Sequence, residues 1–272
     1  MKYRIYGGNS GFKVSELTFG TMRFAPNPHH PGAGEATGRI ALHQALDQGI
    51  NLIHSSYEYG TQDFLRSALK ERSDRHNVHH IIKGPIKPFE KWEEKQTGFN
   101  TFINNQLKAL DIDYIDILQL RAPTWEVVDP QIDFALEVKR KGKLRFISIF
   151  GYTMDLCRRG IRDERVDSLI AYFWPNNMMV ADCFPLLEKA GKQIILIAPL
   201  GQGLFSDNRS SWKNLPDGDR FKTDEGKKNF KQREKIAKEI VGIPESWSAF
   251  AIGLPLSQPV VSSLVVSMNK PG

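Results

Sequence analysis

Four polar side chains in this sequence stand where they could take part in a reaction. His54 and Tyr59 lie near the end of one short apolar run, Lys83 lies at the end of a second, and Arg121 directly follows a third. An ammonium at the end of a buried strand is costly unless it is paired or used, although the stem of Lys83 could also carry it out to solvent. Tyr59, next to Gly60, could equally be an aromatic ring at a helix start. These residues form one site only if the fold brings the three run ends together.

The apolar runs that position these residues belong to a regular series. Eight runs rich in Ile, Leu, Val and Phe recur along the chain, and segments with helical periodicity separate them. Such alternation is typical of parallel strands joined by crossover helices. Gly142 and Gly191 are placed to end two of these helices just before the next strand. The predicted strands are residues 16–21, 51–56, 79–84, 114–120, 144–150, 167–173, 193–199 and 262–268.

Length and the order of elements predict the fold. The chain has 272 residues, and eightfold α/β barrels of about 250 residues form single domains. An open dinucleotide-binding sheet should carry GxGxxG after its first strand, and no such motif follows Thr21. We therefore predict an α/β fold, a (β/α)8 TIM barrel that forms one domain over residues 1–272 and lacks the C-terminal closing helix. In such a barrel the active site lies at the C-terminal ends of the strands, where His54, Lys83 and Arg121 fall.

One stretch departs from this regularity. Residues 206–229 are polar and rich in charge, and they follow the seventh predicted strand. A connection of this length is either a lid over the site or a solvated insertion, and both interpretations stay open.

Composition narrows the class of partner. Lys and Arg number 37 against 31 Asp and Glu, and the net charge of +6 is spread along the chain, which weakly favours anionic ligands over nucleic acid. Cys157 and Cys183 form no Cys/His cluster, so we predict no metal site, and they fit the reducing cytoplasm in which we expect this chain. The N-terminus is polar and no apolar run reaches the roughly 18 residues of a membrane span, so no membrane partner is expected. The oligomeric state stays open.

Residues 49–60 carry the most specific pattern in the chain. This run resembles the signature of the aldo-keto reductases, in which an aspartate precedes the catalytic tyrosine by five residues. Further segments match the family in the same order, so that the resemblance extends nearly from end to end. They are residues 9–15 with 19–22, 110–116, 142–145 and 198–203. The chain is identified as a member of this family with an altered catalytic tetrad.

The resemblance implies a tetrad of aspartate, tyrosine, lysine and histidine at the barrel mouth. Tyr59 matches the tyrosine that donates a proton, and Lys83 matches the lysine that lowers the pKa of that tyrosine. His54 stands in the aspartate position and Arg121 in the histidine position. All four are candidate catalytic residues.

The resemblance also implies NADPH or NADH, bound in an extended form across the mouth. Phe150 and Gly151 replace the serine and the following residue that usually hold the carboxamide. One ring among Tyr172, Phe173 and Trp174 is expected to stack on the nicotinamide, unless these rings only pack in the core. Backbone N–H groups of a glycine-containing loop would meet the pyrophosphate, and the two residues after the last strand would lie near the adenosine. The candidate cofactor residues are Thr21, Met22, Phe150, Gly151, Phe173, Pro199, Leu200, Gly201, Gly203, Ser206, Asn269 and Lys270.

The two replaced tetrad positions suggest a substrate. Arg121 and Lys83 would make the pocket cationic, and His54 would add to the charge only in its protonated state. Arginine binds a carboxylate through two parallel hydrogen bonds. An imine that arrives protonated needs less acid catalysis than a carbonyl does. The hypothesis is therefore hydride transfer to a C=N or C=O bond of a small, carboxylate-bearing substrate, although a cationic pocket disfavours a free iminium.

Two other classes of function stay open. The first is a non-catalytic homologue that binds a nucleotide or a partner, because a fold does not guarantee chemistry. The second is a cofactor-independent lyase or isomerase on the same barrel, with His54 as its base. Consumption of reduced nicotinamide separates the classes, because only the reductase consumes it.

Overall fold

The computed structural model describes residues 1–24, 33–85 and 92–268. An antiparallel hairpin of β1 (Tyr3–Tyr6) and β2 (Phe12–Ser15) comes first. The parallel strands that follow are β3 (Leu17–Gly20), β4 (Leu52–Ser55), β5 (His79–Lys83), β6 (Ile115–Leu120), β7 (Leu144–Phe150), β8 (Ser168–Tyr172), β9 (Gln193–Ile197) and β10 (Val261–Val266). They close into a barrel, because each pairs with the next and β10 pairs with β3. The predicted (β/α)8 barrel is confirmed, and each strand begins and ends within two residues of its predicted run.

Helices surround the barrel in the described part of the chain. Gly142 and Gly191 follow two of them with φ of +75° and +65°, the left-handed conformation that ends a helix, as predicted. No helix among the described residues is both long and apolar enough to cross a membrane. The helices are α1 (Glu35–Asp47), α2 (Gln62–Lys70), α3 (Trp92–Leu110), α4 (Trp125–Arg140), α5 (Met154–Arg162), α6 (Phe184–Lys189), α7 (Asp224–Ile240) and α8 (Trp247–Leu256).

Side chains of the barrel strands alternate between two layers, because successive residues of a strand point to opposite faces. Leu118 is buried in the outer layer between strands and helices, whereas its neighbour Ile117 fills the barrel interior. The same alternation directs Gln119, His54 and Lys83 into the interior. The strands therefore supply both the core and the polar groups at its upper end.

The hairpin closes the N-terminal end of the barrel. Tyr6 and Val14 are fully buried and pack in the interior cluster beside Phe146. The Tyr6 hydroxyl is hydrogen-bonded to Oγ of Ser168, at the start of β8. The C-terminal end is left as the mouth.

The polar stretch after β9 is packed against the last helices. Residues 206–223 contain no helix or strand, and α7 takes up the remainder of the stretch. Leu215 is buried in a third apolar cluster with Phe205, Phe230 and Trp247. The stretch is thus anchored to α7 and α8 by its apolar side chains and is not solvated throughout.

Candidate active site

Three neighbouring strands place polar residues at the mouth. His54 lies in β4, Lys83 ends β5, and Arg121 directly follows β6. Because β4 pairs with β5 and β5 with β6, these side chains come from adjacent strands at one end of the barrel. Tyr59 ends a short 3-10 turn (Tyr57–Tyr59) after β4. The structure brings the four sequence-predicted residues together.

Lys83 and Tyr59 are hydrogen-bonded to each other. Nζ of the lysine donates to the phenolic oxygen, and it lies 4.8 Å from the centroid of the tyrosine ring. Because the oxygen accepts this bond, the phenolic proton is free to be donated elsewhere. The pair has the arrangement of an acid with a cation beside it.

Burial sets the protonation of this pair. Burial, aided by the charge of Arg121 and opposed by Glu58, lowers the pKa of Lys83 to about 8. Burial also raises the pKa of Tyr59, with Tyr172 adding to the effect and Arg121 opposing it. This direction is opposite to the lowering that the resemblance implied. The phenol therefore keeps its proton at neutral pH.

His54 is a neutral, buried group. Its Nε2 lies 2.8 Å from Oε1 of Gln119, a fully buried residue of β6. Burial, the charge of Lys83 and the charge of Arg121 lower the pKa of His54 to about 3. The hydrogen bond to Gln119 opposes them and raises the pKa. Of the two protonation states that the sequence left open for His54, the neutral one is therefore favoured at neutral pH. With so low a pKa, the side chain is also a weak general base at neutral pH.

Arg121 is buried and paired with an acid that sequence reasoning missed. Its Nε and Nη2 donate to the carbonyl of Gly84 at 3.0 and 2.6 Å, and its Nη1 donates to Oε2 of Glu58 at 3.0 Å. Described residues thus engage three of the five guanidinium N–H groups, which leaves two for a ligand. The signal for Glu58 was a carboxylate directly before Tyr59 in the signature run.

Aromatic rings line the other side of the mouth. Phe150 is buried in the interior, and its ring meets Tyr152 and Tyr172 edge to face at centroid distances of 4.4 and 5.1 Å. Tyr172 is 45% exposed, whereas Phe173 is 2% exposed and stacks on Phe184 in the outer layer. Phe173 therefore does not face the mouth, because the strand alternation turns it outward. Among the three rings expected from the sequence, Tyr172 is the exposed one.

The other candidates near the strand ends differ in exposure. Thr21 is buried, and its Oγ1 donates to the carbonyl of His54 at 3.2 Å, whereas Met22 is exposed. The N–H of Gly151 donates to a carbonyl of β8, and a Cβ added there would lie 2.4 Å from Sγ of Cys157. Pro199 is buried. Residues 269 and 270, expected near the adenosine, lie outside the described residues.

The loop after β9 contains the residues expected at the pyrophosphate. Gly201 and Gly203 have φ of +54° and +101°, in the region that favours glycine. Their N–H groups donate to carbonyls within the loop, and the N–H of Ser206 donates to the carbonyl of Gly203. Leu200 is half-buried and accepts from Gly203 and Phe205. These N–H groups thus shape the loop itself.

Two arginines that sequence reasoning missed lie beside this loop. Nη2 of Arg220 donates to Oε1 of Gln202 at 2.6 Å, and a Cβ added at Gly203 would lie 2.8 Å from Nη1 of Arg209. The ring of Phe221 contacts both guanidinium groups, at 5.5 Å from Arg209 and 5.2 Å from Arg220. In the sequence they are two charges among many in a polar stretch.

A model of the Aldo/keto reductase family matches residues 16–272. This chain belongs to the aldo/keto reductase family.

Relatives of this aldo/keto reductase are distant. L-galactose dehydrogenase of Arabidopsis thaliana is 25% identical over 216 residues, which are 74% of this chain and 66% of that protein. The uncharacterized oxidoreductase YqkF of Bacillus subtilis is 22% identical over 280 residues, covering 97% of this chain and 86% of YqkF. Among solved structures, the holo form of AKR11C1 from Bacillus halodurans has a TM-score of 0.77 at 23% identity, covering 99% of this chain and 87% of that one. Glycerol dehydrogenase AKR11B4 from Gluconobacter oxydans has a TM-score of 0.73 at 20% identity, with coverage of 99% and 87%. These structural likenesses show the shared fold.

Family membership implies an NAD(P)H-dependent oxidoreductase, and the cofactor prediction is confirmed at the level of the family. The residues of this aldo/keto reductase fit such a cofactor at two places, the exposed ring of Tyr172 and the arginine-flanked loop around Gly203. They do not offer the usual contact to the carboxamide. Phe150 has no hydrogen-bonding atom in its side chain, and its ring fills the interior where a serine hydroxyl would stand.

Proposed function

We propose that this aldo/keto reductase reduces the C=O bond of a small, carboxylate-bearing substrate with NADPH or NADH. The hydrogen bond from Lys83 to the oxygen of Tyr59 carries the proposal. It joins a proton donor to a cation that can stabilise the phenolate left behind. A further observation supports the proposal. Among the described residues at the mouth, only Tyr59 has a hydroxyl whose oxygen accepts a hydrogen bond from a cationic side chain.

The reaction would use Tyr59 as the acid. Reduced nicotinamide supplies a hydride when it is bound. As negative charge develops on the substrate oxygen, Tyr59 donates its phenolic proton to that oxygen. Lys83 is mostly protonated below its pKa of about 8 and holds the resulting phenolate by charge and hydrogen bond. His54, being neutral, takes no proton in this scheme.

Arg121 is the residue that we assign to the substrate carboxylate. Its two remaining N–H groups are donors of fixed geometry, which suits a carboxylate. Glu58 already engages Nη1 and is about one-third exposed, so it competes with a substrate anion for the same guanidinium. The site has two cations, Lys83 and Arg121, and one carboxylate, Glu58. Its net charge is therefore positive, which favours an anionic substrate.

Glu58 also supports a second candidate, reduction of a C=N bond. An iminium is repelled by the two cations, but the Glu58 carboxylate stands 3.0 Å from Arg121 and reduces the local positive charge. A protonated imine would need no acid, so it would leave Tyr59 without a chemical task. This difference makes the two candidates separable.

Oxidation of NADPH and of NADH, followed by absorbance, tests the proposal. The substrate set should include small 2-oxo acids, their methyl esters, and cyclic imines with and without a carboxylate. We expect turnover of 2-oxo acids and a preference for the free acid over the ester. Turnover of the imines alone would favour the second candidate.

The same assay separates the other classes of function. A non-catalytic homologue would bind the reduced cofactor and leave its absorbance unchanged with every substrate. A lyase or isomerase would convert a substrate without any cofactor. Either result would contradict the reductase proposal.

A further inference from the structure

Arg233 is a fully buried cation in α7, and it is hydrogen-bonded to the loop after β9. Its exposed fraction is 0%. Nη1 donates to the carbonyls of Leu204 and Arg209 at 2.8 and 2.9 Å, and Nη2 donates to the carbonyl of Ser210 at 2.7 Å. One guanidinium thus fixes the backbone at three points along residues 204–210.

Aromatic rings pack on this guanidinium, and no carboxylate among the described residues is hydrogen-bonded to it. Its Cζ lies 3.8 Å from the ring centroid of Trp247 and 4.3 Å from that of Phe230. Nε has no hydrogen-bond partner in the described part of the chain. Burial lowers the pKa of Arg233 to about 10, with Glu234 opposing, so the group remains charged at neutral pH. A whole positive charge therefore lies behind the loop without a bonded anion.

Stability alone does not account for such a group. Desolvation of a charge is costly, and apolar replacements of buried ionic groups are often neutral or stabilising. Three carbonyl oxygens and two ring faces offset part of the cost, because both present partial negative charge to the cation. A role in ligand binding, beyond stabilising the fold, would explain why this charge is buried there.

The loop that Arg233 fixes is the one expected at the cofactor pyrophosphate. Its exposed side carries two further cations, Arg209 beside Gly203 and Arg220 bonded to Gln202. Asp219 is the acid bonded to Arg209, at 2.9 Å. Positive charge therefore lies both behind and in front of the loop, and charge in a low-dielectric interior acts over a longer range than at the surface.

We propose that Arg233 is a positioning residue of the cofactor loop, which holds residues 204–210 in place and lends them a buried positive charge that favours a diphosphate. The proposal rests on the proposed function, since it takes a nucleotide diphosphate as the ligand class. Arg233 acts through the loop and does not touch the reacting atoms.

Calorimetric binding of ADP to the full chain tests the proposal, with adenosine as the uncharged comparison. In Arg233→Met, which keeps much of the volume but not the charge, ADP affinity should fall about tenfold or more, whereas binding of adenosine should change little. Arg233→Lys keeps the charge and loses the planar fork, so we expect an intermediate loss. The melting temperature of each variant is recorded beside its affinity.

Arg4 offers a matched control for the loss of stability. It also donates to three backbone carbonyls, those of Leu256, Gln258 and Val261, but it lies at the hairpin end of the barrel and is paired with Glu16. Arg4→Met should lower the melting temperature and leave ADP affinity unchanged. If Arg233→Met also lowers only the melting temperature, Arg233 is merely structural and the proposal is overturned. A parent chain that binds NADPH or NADH but not ADP overturns the proposal alone, and one that binds none of them overturns the proposed function with it.

Discussion

Tyr59 and Lys83 concentrate the proposed chemistry in one hydrogen bond. Tyr59 keeps its proton because burial raises its pKa, and Lys83 stays charged below about pH 8. A raised pKa makes the phenol of Tyr59 a weaker acid. The neighbouring ammonium of Lys83 is therefore needed to stabilise the phenolate. The two residues thus depend on each other, and replacing either one should disable the pair.

The first prediction follows from this dependence. Tyr59→Phe removes the proton donor, and kcat for a 2-oxo acid should fall by about 100-fold or more, the usual range for loss of a general acid. Cofactor affinity, measured by fluorescence titration, should stay within about twofold. Tyr114→Phe is a matched control, because Tyr114 accepts a hydrogen bond from Arg145 beside β6 and β7, away from the mouth. A Tyr59→Phe variant with nearly full kcat for the 2-oxo acid would contradict the assignment of Tyr59 as the acid.

Arg121 gives the second prediction. Charged hydrogen bonds contribute about 1.5–3 kcal/mol, so Arg121→Ala should lose roughly tenfold to a hundredfold in apparent substrate affinity. Arg121→Lys keeps the charge but not the two parallel bonds, and should fall between parent and alanine variant. Glu58→Gln removes the competing carboxylate, so it should raise affinity for the free acid.

Paired 2-oxo acid and methyl-ester substrates measure this effect as kcat/KM, with the melting temperature as the control for stability. If Arg121 only pairs with Glu58 and Gly84, alanine should lower the melting temperature and leave the acid-over-ester preference intact. Such a result would end the assignment of Arg121 to the substrate.

At the scale of elements, the C-terminal end of β7 meets the first turns of α5 at very short range. A Cβ on Gly151 would lie 2.4 Å from Sγ of Cys157, which is closer than packed atoms tolerate. The backbone of Gly151 has no positive φ, so the requirement for glycine comes from space alone. The end of β7 is thus shaped by the helix that packs on it.

The third prediction uses this contact. Gly151→Ala should lower the free energy of unfolding by about 1–3 kcal/mol, the usual cost of forcing an extra carbon into a packed site. Cys157→Ala removes the sulfur that the new methyl would meet, so the double variant should regain much of the loss. Urea unfolding of the parent, both single variants and the double variant measures the coupling. Losses that simply add would show that Cys157 is not the obstacle.

The elements were predictable from sequence to different degrees. The barrel strands could be predicted because they are buried on both faces and are therefore continuous apolar runs, as in Leu144–Phe150. Period-two alternation also carried the information that Tyr172 and not Phe173 faces the mouth, since Ser168 and Ile170 are interior residues. The hairpin β1–β2 was not predicted, because two four-residue strands give too little pattern.

Partners of the site residues could not be predicted, because they are tertiary contacts. Gln119 reads as one polar residue in an apolar run, yet it bonds to His54 from 65 positions away. Arg233 stands in a helix of alternating charges and gives no sign of its burial. The location of the site could be predicted from its residue types. Its net charge could not be predicted, because it depends on Glu58, which only the fold places against Arg121.

For the whole molecule, buried histidines determine how its stability responds to acid. Among the described residues, two histidines are buried. His54 lies at the mouth near Lys83 and Arg121, and His80 lies in β5, where burial and the neighbouring His79 lower its pKa to about 4 against the charge of Asp116. Neither ring can accept a proton without a charge appearing in the interior.

The fourth prediction is a loss of stability below pH 6.5 that these histidines control. Unfolded histidine binds a proton near pH 6.5, whereas folded His54 and His80 do so near pH 3 and pH 4. Between these values the unfolded chain holds more protons, so acid favours unfolding, and the stability present above pH 6.5 is lost as the pH falls. Each histidine should contribute a slope of up to about 1.4 kcal/mol per pH unit. Urea unfolding from pH 4.5 to 7 measures the slope of the unfolding free energy against pH. His80→Gln should reduce this slope by the contribution of one histidine. His76→Gln, at an exposed position, should leave it unchanged. An equal slope in the parent and in His80→Gln would show that His80 titrates alike in both states, and the acid sensitivity would then belong to other groups.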